Sequence, residues 1–141
     1  MQQAQLTITH LQSDITIYLF TTNKKNSKSP DYQCKLKLNK EAIGDLLLWK
    51  RASKSIDKLY GGVFKPESHI DINDEQKKCK FLIDTIDEQE SKKPNINGTI
   101  NIFGNERKIV LWSKIGKNGK YWSGTIQSNI KMDEQMGIGD F

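Results

Sequence analysis

Residues 108–126 read KIVLWSKIGKNGKYWSGTI, and this stretch decides the fold class. Asn118-Gly119 is a hairpin signal, because a type I′ turn needs positive φ at both central positions and Asn and Gly accept it at least cost. With Asn118-Gly119 as a two-residue loop, Lys117 faces Lys120, Ile115 opposes Trp122, Ser113 opposes Gly124 and Leu111 opposes Ile126. Together with Ile109, that face is mainly apolar and reads as core. The other face carries Val110, Trp112 and Lys114 on one strand and Tyr121, Ser123 and Thr125 on the other. Working backwards, Gly98–Phe103 alternates, with Ile100 and Ile102 opposed to Thr99, Asn101 and Phe103, and Gly104-Asn105 makes a tight turn. The last third of the chain is thus an antiparallel meander.

The first third has the same character. Leu6–Leu11 and Ile15–Thr21 are strand-like, and in the second Ile15, Ile17 and Leu19 alternate with Thr16, Tyr18 and Phe20. A lysine-rich loop, TNKKNSKSPD over residues 22–31, leads into Gln33–Leu38, where Cys34, Leu36 and Leu38 alternate with Gln33, Lys35 and Lys37. Asn39 is a good helix N-cap. Ala42, Ile43, Leu46, Leu47 and Trp49 recur at helical spacing to about Ser53, so the sequence predicts a helix there. Gly61-Gly62 breaks that pattern and Pro66 prevents an early restart. Lys80–Ile86 reads as a strand or a helical end, with the strand favoured, and Asp87–Asn97 as a charged loop. The expected fold is mainly β with one principal helix (α+β), a small OB-like barrel or β-sandwich. It occupies residues 1–131 as one domain, followed by a flexible acidic tail, 132–141.

A chain of 141 residues is long enough to bury one core. Its longest apolar run, Leu46–Trp49, is far too short for a membrane span. The start MQQAQLTITH has neither a basic nor an apolar region of a secretory signal, so the cytoplasm is the expected location. Cys34, Cys79, His10 and His69 are too scattered for a zinc site, and the two cysteines read as buried, reduced thiols. The net charge is +5, yet the tail holds Asp133, Glu134 and Asp140 and no basic residue, so the body is more basic than the total suggests. A basic body with an acidic tail points to a polyanionic partner.

Single-stranded nucleic acid needs aromatic rings on which bases stack and lysines that meet phosphates. The hairpin supplies Trp112, Lys114 and Tyr121, with Lys117 and Lys120 at its tip. A second surface combines Tyr18 and Phe20 with Lys35 and Lys37, beside Lys24, Lys25 and Lys28 of the loop. The bland alternative is that the rings cover a second core layer and the loop lysines are merely solvated. No catalytic role is expected. There is no phosphate-binding glycine loop, H-E-x-x-H or G-x-S-x-G. The run Glu67-Ser68-His69-Ile70-Asp71 holds its groups as sequence neighbours, which point apart on a strand. No cofactor is expected either. The competing functional class is a non-enzymatic protein-interaction or inhibitor module, of the kind carried by phages or mobile elements. Steep salt dependence of binding separates nucleic acid from a protein partner.

The C-terminus, Asp133-Glu134-Gln135-Met136-Gly137-Ile138-Gly139-Asp140-Phe141, resembles the tail tip of bacterial and phage single-stranded DNA-binding proteins. The resemblance implies a DNA-binding domain and a tail whose Asp140 and Phe141 dock on replication or repair proteins. This tail is less acidic than the family's. The segments Ser29–Tyr32 and Trp112–Gly124 also resemble small uncharacterised phage and bacterial proteins with a Pro-Asp-Tyr loop and a Trp-lysine hairpin, relative to which residues 40–96 form an insertion. Association with further copies of the chain, as a homo-oligomer, stays open.

Overall fold

A computed structural model describes residues 6–22, 28–51, 59–86, 94–117 and 119–128. Ten strands follow one another: β1 Leu6–Thr7, β2 Ile15–Thr21, β3 Tyr32–Leu38, β4 Glu41–Arg51, β5 Leu59–Pro66, β6 Ile70–Asp71, β7 Lys78–Ile86, β8 Ile96–Ile102, β9 Asn105–Gly116 and β10 Gly119–Ile126. Eight of them, β2, β3, β4, β5, β7, β8, β9 and β10, form a closed antiparallel barrel in chain order, with β10 returning to pair with β2. The expected barrel is present, but it has neither the five strands nor the Greek-key path of an OB-fold. A sandwich is equally excluded, because the eight strands close into one sheet and the only other sheet among the described residues is the two-stranded β1–β6 pair.

The predicted helix over 39–53 is strand β4 instead. Asn39 and Lys40 both have positive φ (51° and 71°), so Asn39 opens a tight β3–β4 turn and caps no helix. The helical spacing arose from a bulge. Lys37 faces Ala42 while Leu36 faces Gly44, which leaves Ile43 as an extra residue. Ile43, Leu46 and Leu48 therefore all reach the core from one strand. Among the described residues the only helical pieces are 3-10 turns, His10–Gln12 and Glu75–Lys77. Leu6–Leu11 is accordingly a two-residue strand running into one of these turns. Gly61-Gly62, read as a break, lies inside β5. A Cβ on Gly62 would sit 2.1 Å from the Leu47 carbonyl oxygen, so glycine lets two barrel strands approach.

The barrel interior is filled. Ile17, Leu36, Leu46, Phe64, Phe81 and Ile100 are at most 2 % exposed. Cys34 and Cys79 are buried free thiols, as expected. Burial holds the Cys34 thiol well above its usual pKa and pushes Cys79 up to about 12. An eight-stranded barrel is just wide enough for side chains to fill or to hold one small ligand, and among the described residues apolar side chains pack across this one.

Its two ends differ. One end is plugged by the His10–Gln12 turn, where Leu11 is fully buried, and by the parallel β1–β6 pair. Arg107 anchors this plug from β9. Its guanidinium donates to the carbonyls of Leu11 and Gln127 at 2.7 Å each, and to that of Ser13. Burial pulls its pKa down to about 10, with Asp14 acting the other way, so it stays charged at neutral pH. The opposite end carries the β2–β3, β4–β5, β7–β8 and β9–β10 connections. There β9 and β10 outrun β8, which follows β9 only to Leu111, and project as a two-stranded arm.

Candidate nucleic-acid interface

Alternation along each strand sends every second residue outward. In the β9–β10 hairpin Gly116 pairs with Gly119, so Lys114 faces Tyr121, Ser113 faces Trp122 and Leu111 faces Gly124. The register differs from the sequence expectation by one residue on each strand. Such a slip exchanges neighbours but keeps every side chain on its predicted face. Trp112, Lys114, Tyr121, Ser123 and Thr125 point outward as expected. Ile115 is the exception on the apolar side. It lies on the projecting arm and is 89 % exposed, so it is not core.

Tyr18, Phe20, Lys35 and Lys37 also share one outward face, because Tyr18 faces Lys35 and Thr16 faces Lys37. Barrel closure then joins the two predicted surfaces. Ser123 faces Tyr18 across β10–β2, so one row runs Trp112, Ser123, Tyr18, Lys35 and Asp45 over five strands. At a spacing of about 4.8 Å per strand, Trp112 and Lys35 stand roughly 14 Å apart. In the next row the rings of Tyr121 and Phe20 stack across the seam, 5.4 Å between centroids and 22° between planes. Lys37 Nζ lies 5.6 Å from the Tyr18 ring centroid, a cation–π distance. The four rings are not a second core layer, since each remains partly exposed.

The electrostatics of this face are one-sided. Among the described residues, Lys35, Lys37, Lys114, Lys117 and Lys120 make no ion pair, and the acid in their midst is Asp45, opposite Lys35. Between the arm and the end of β2 lies a groove of about 380 Å³, walled by Phe20 and Tyr121 and edged by Lys117 and Lys120. A second groove, of about 500 Å³, lies on the other side of Phe20 beside Gln33 and Lys35.

Lys28 sits apart from this centre. Its backbone carbonyl accepts the Trp49 indole N–H at 2.8 Å, which ties the end of the β2–β3 loop to the outer side of β4. Lys24, Lys25, Asp140 and Phe141, and the whole segment 132–141, lie outside the described residues. Sequence reasoning missed Trp49, which it placed on a helix. It also missed Lys50, Tyr32 and Tyr60 at the barrel mouth, where no periodic pattern marks a rim. Lys120, expected only at the hairpin tip, lies 5.4 Å above the Trp122 ring.

His69 is buried with Nε2 lacking a partner, while Glu67, Ser68 and Asp71 are exposed, so the run that brought them together in sequence builds no catalytic geometry. Among the described residues there is no cluster of His, Cys, Asp and Glu that could hold a metal ion. Fold and face together define an up-and-down, filled β-barrel with an aromatic and basic exterior. No protein-family model, curated protein or solved structure matches the chain.

Proposed function

We propose that this protein binds single-stranded nucleic acid, with DNA favoured, on the outer face of β9, β10, β2 and β3. It acts in the cytoplasm as a binding protein and not as an enzyme. The observation that carries the reading is the β10–β2 seam, where Tyr121 and Phe20 stack and around which Trp112, Tyr18 and five lysines gather. Bases stack on exposed rings whatever their sequence, and the lysines neutralise the phosphates between them. The test is fluorescence anisotropy with labelled single- and double-stranded oligonucleotides over a range of salt. Single strands bind preferentially, and affinity falls linearly on log–log axes as salt rises. No binding, or binding indifferent to salt, refutes the proposal.

A second reading, a non-enzymatic protein-interaction module, draws on Ile115, which stands exposed on the arm. A protein held by that residue would bind with little salt dependence, and Ile115→Ser would abolish it.

A further inference from the structure

The β9–β10 arm has an open edge. β8 follows β9 only to Leu111, and just beyond that point a side chain closes the ladder. The buried Asn95 donates its backbone N–H to the Leu111 carbonyl at 2.9 Å, and its Oδ1 accepts the Ser113 backbone N–H at 2.9 Å. Leu111 and Ser113 thus turn their backbone groups towards β8. These groups alternate sides along a strand, so those of Ile115 lie on the same edge, past the last residue that β8 pairs.

The side chain there is uncovered too. Ile115 is 89 % exposed, the one large hydrophobic residue so exposed among the described residues. Lys114, Lys117 and Lys120 lie around it, all exposed and none in an ion pair among the described residues. An unpaired edge that carries an apolar residue is a template for another strand, and lysines on such edges discourage self-pairing. Here the three lysines of one arm would meet the three of a second copy, which opposes that pairing. The same charges favour an incoming strand that brings acids. Nucleic acid offers neither a peptide ladder nor an aliphatic side chain to cover Ile115.

We propose that the free edge of β9, at residues 113–117, binds an extended acidic segment of a partner protein, added as a strand. The assignment is independent of nucleic-acid binding and gives the protein-interaction reading a partner of stated chemistry. The segment's residue opposite Ile115 is apolar and exchanges two backbone hydrogen bonds with it, N–H to carbonyl in each direction. Its neighbours point to the other face, so the residue opposite Lys114 is acidic. A segment in which acidic and β-branched residues alternate satisfies both positions.

The test titrates a short fluorescein-labelled peptide, alternating glutamate with valine, with the full chain and follows anisotropy. The peptide should bind, and its counterpart with lysine for every glutamate should not. Ile115→Asp, at an exposed position where the fold loses nothing, should weaken binding about tenfold. Lys114→Glu should weaken the glutamate peptide and strengthen the lysine one. Methylating the backbone nitrogens of the valines, which face the edge, should abolish binding. Methylating those of the glutamates, which face away, should leave it largely unchanged. No binding of the glutamate peptide, equal binding of the lysine peptide, full binding by Ile115→Asp, or equal effects of the two methylations overturns the proposal. A dimer in sedimentation that becomes a monomer on Ile115→Asp would also overturn it, by assigning the edge to a second copy.

Discussion

Replacing Lys37, Lys114 and Lys117 together by Ala separates an electrostatic nucleic-acid interface from a merely soluble surface. Lys114 and Lys117 are exposed, Lys37 is half-buried over the Tyr18 ring, and none makes an ion pair among the described residues, so the fold loses little. Each phosphate contact on a single strand contributes about 0.7 to the slope of log K against log salt. Four lysines on the face and Lys120 at the edge of its groove set an upper slope of about −3.5, and the triple variant should flatten it by about 2. Between 50 and 200 mM salt, affinity then falls about a hundredfold for the wild type and less than about tenfold for the variant. Lys35 is left in place because Asp45 opposite already offsets part of its charge. Anisotropy titrations in stepped KCl, with circular dichroism melting as a control, measure both effects. A slope equal to that of the wild type in a folded variant would refute the assignment of these lysines to phosphate.

Trp112→Ala should cost about 1–3 kcal/mol of oligonucleotide binding, similarly for every base composition, and unchanged affinity would remove Trp112 from the interface. Arg107→Met should lower stability in urea by about 3–5 kcal/mol, because the carbonyls of Leu11, Ser13 and Gln127 lose their donor and each unsatisfied buried acceptor costs about 1–3 kcal/mol. A loss below about 1 kcal/mol would mean that water replaces the guanidinium. Stability should be complete below about pH 8.5, where the unfolded thiols keep their protons, and should fall as pH rises towards the raised folded values of Cys34 and Cys79. The slope is about 1.4 kcal/mol per pH unit for each thiol, so Cys79→Ala should roughly halve it, and a urea midpoint flat to pH 10.5 would contradict the burial. Gly124→Ala should disrupt the β9–β10 pairing, since its Cβ would lie 1.8 Å from the Val110 carbonyl oxygen, and a wild-type melting temperature would show that these two strands can separate there.

The strands at either end of the chain were legible because their period is clean. Ile15, Ile17 and Leu19 on β2 and Cys34, Leu36 and Leu38 on β3 face inward as the alternation requires. The aromatic and basic halves of the face could be read for the same reason, and a slip of one residue on each hairpin strand does not change a side chain's face. β4 was misread because the bulge at Ile43 replaces period two by a three-residue step, which mimics a helix. The union of the two half-faces was invisible, since the Thr125–Thr16 pairing joins residues at opposite ends of the chain and no local pattern encodes it. The residues at the barrel mouth were missed because Tyr32, Lys50 and Tyr60 come from three separate strands.

The seam between β10 and β2 also fixes when the face can exist. β2 is among the first barrel strands to leave a ribosome and β10 is the last, so Phe20 meets Tyr121 only after the chain has been synthesised through the final hairpin. Pairings so distant in sequence close slowly, on the millisecond-to-second scale of non-local β topologies. A nascent or truncated chain therefore carries two incomplete half-faces, and on the proposed function oligonucleotide binding would report completed folding directly.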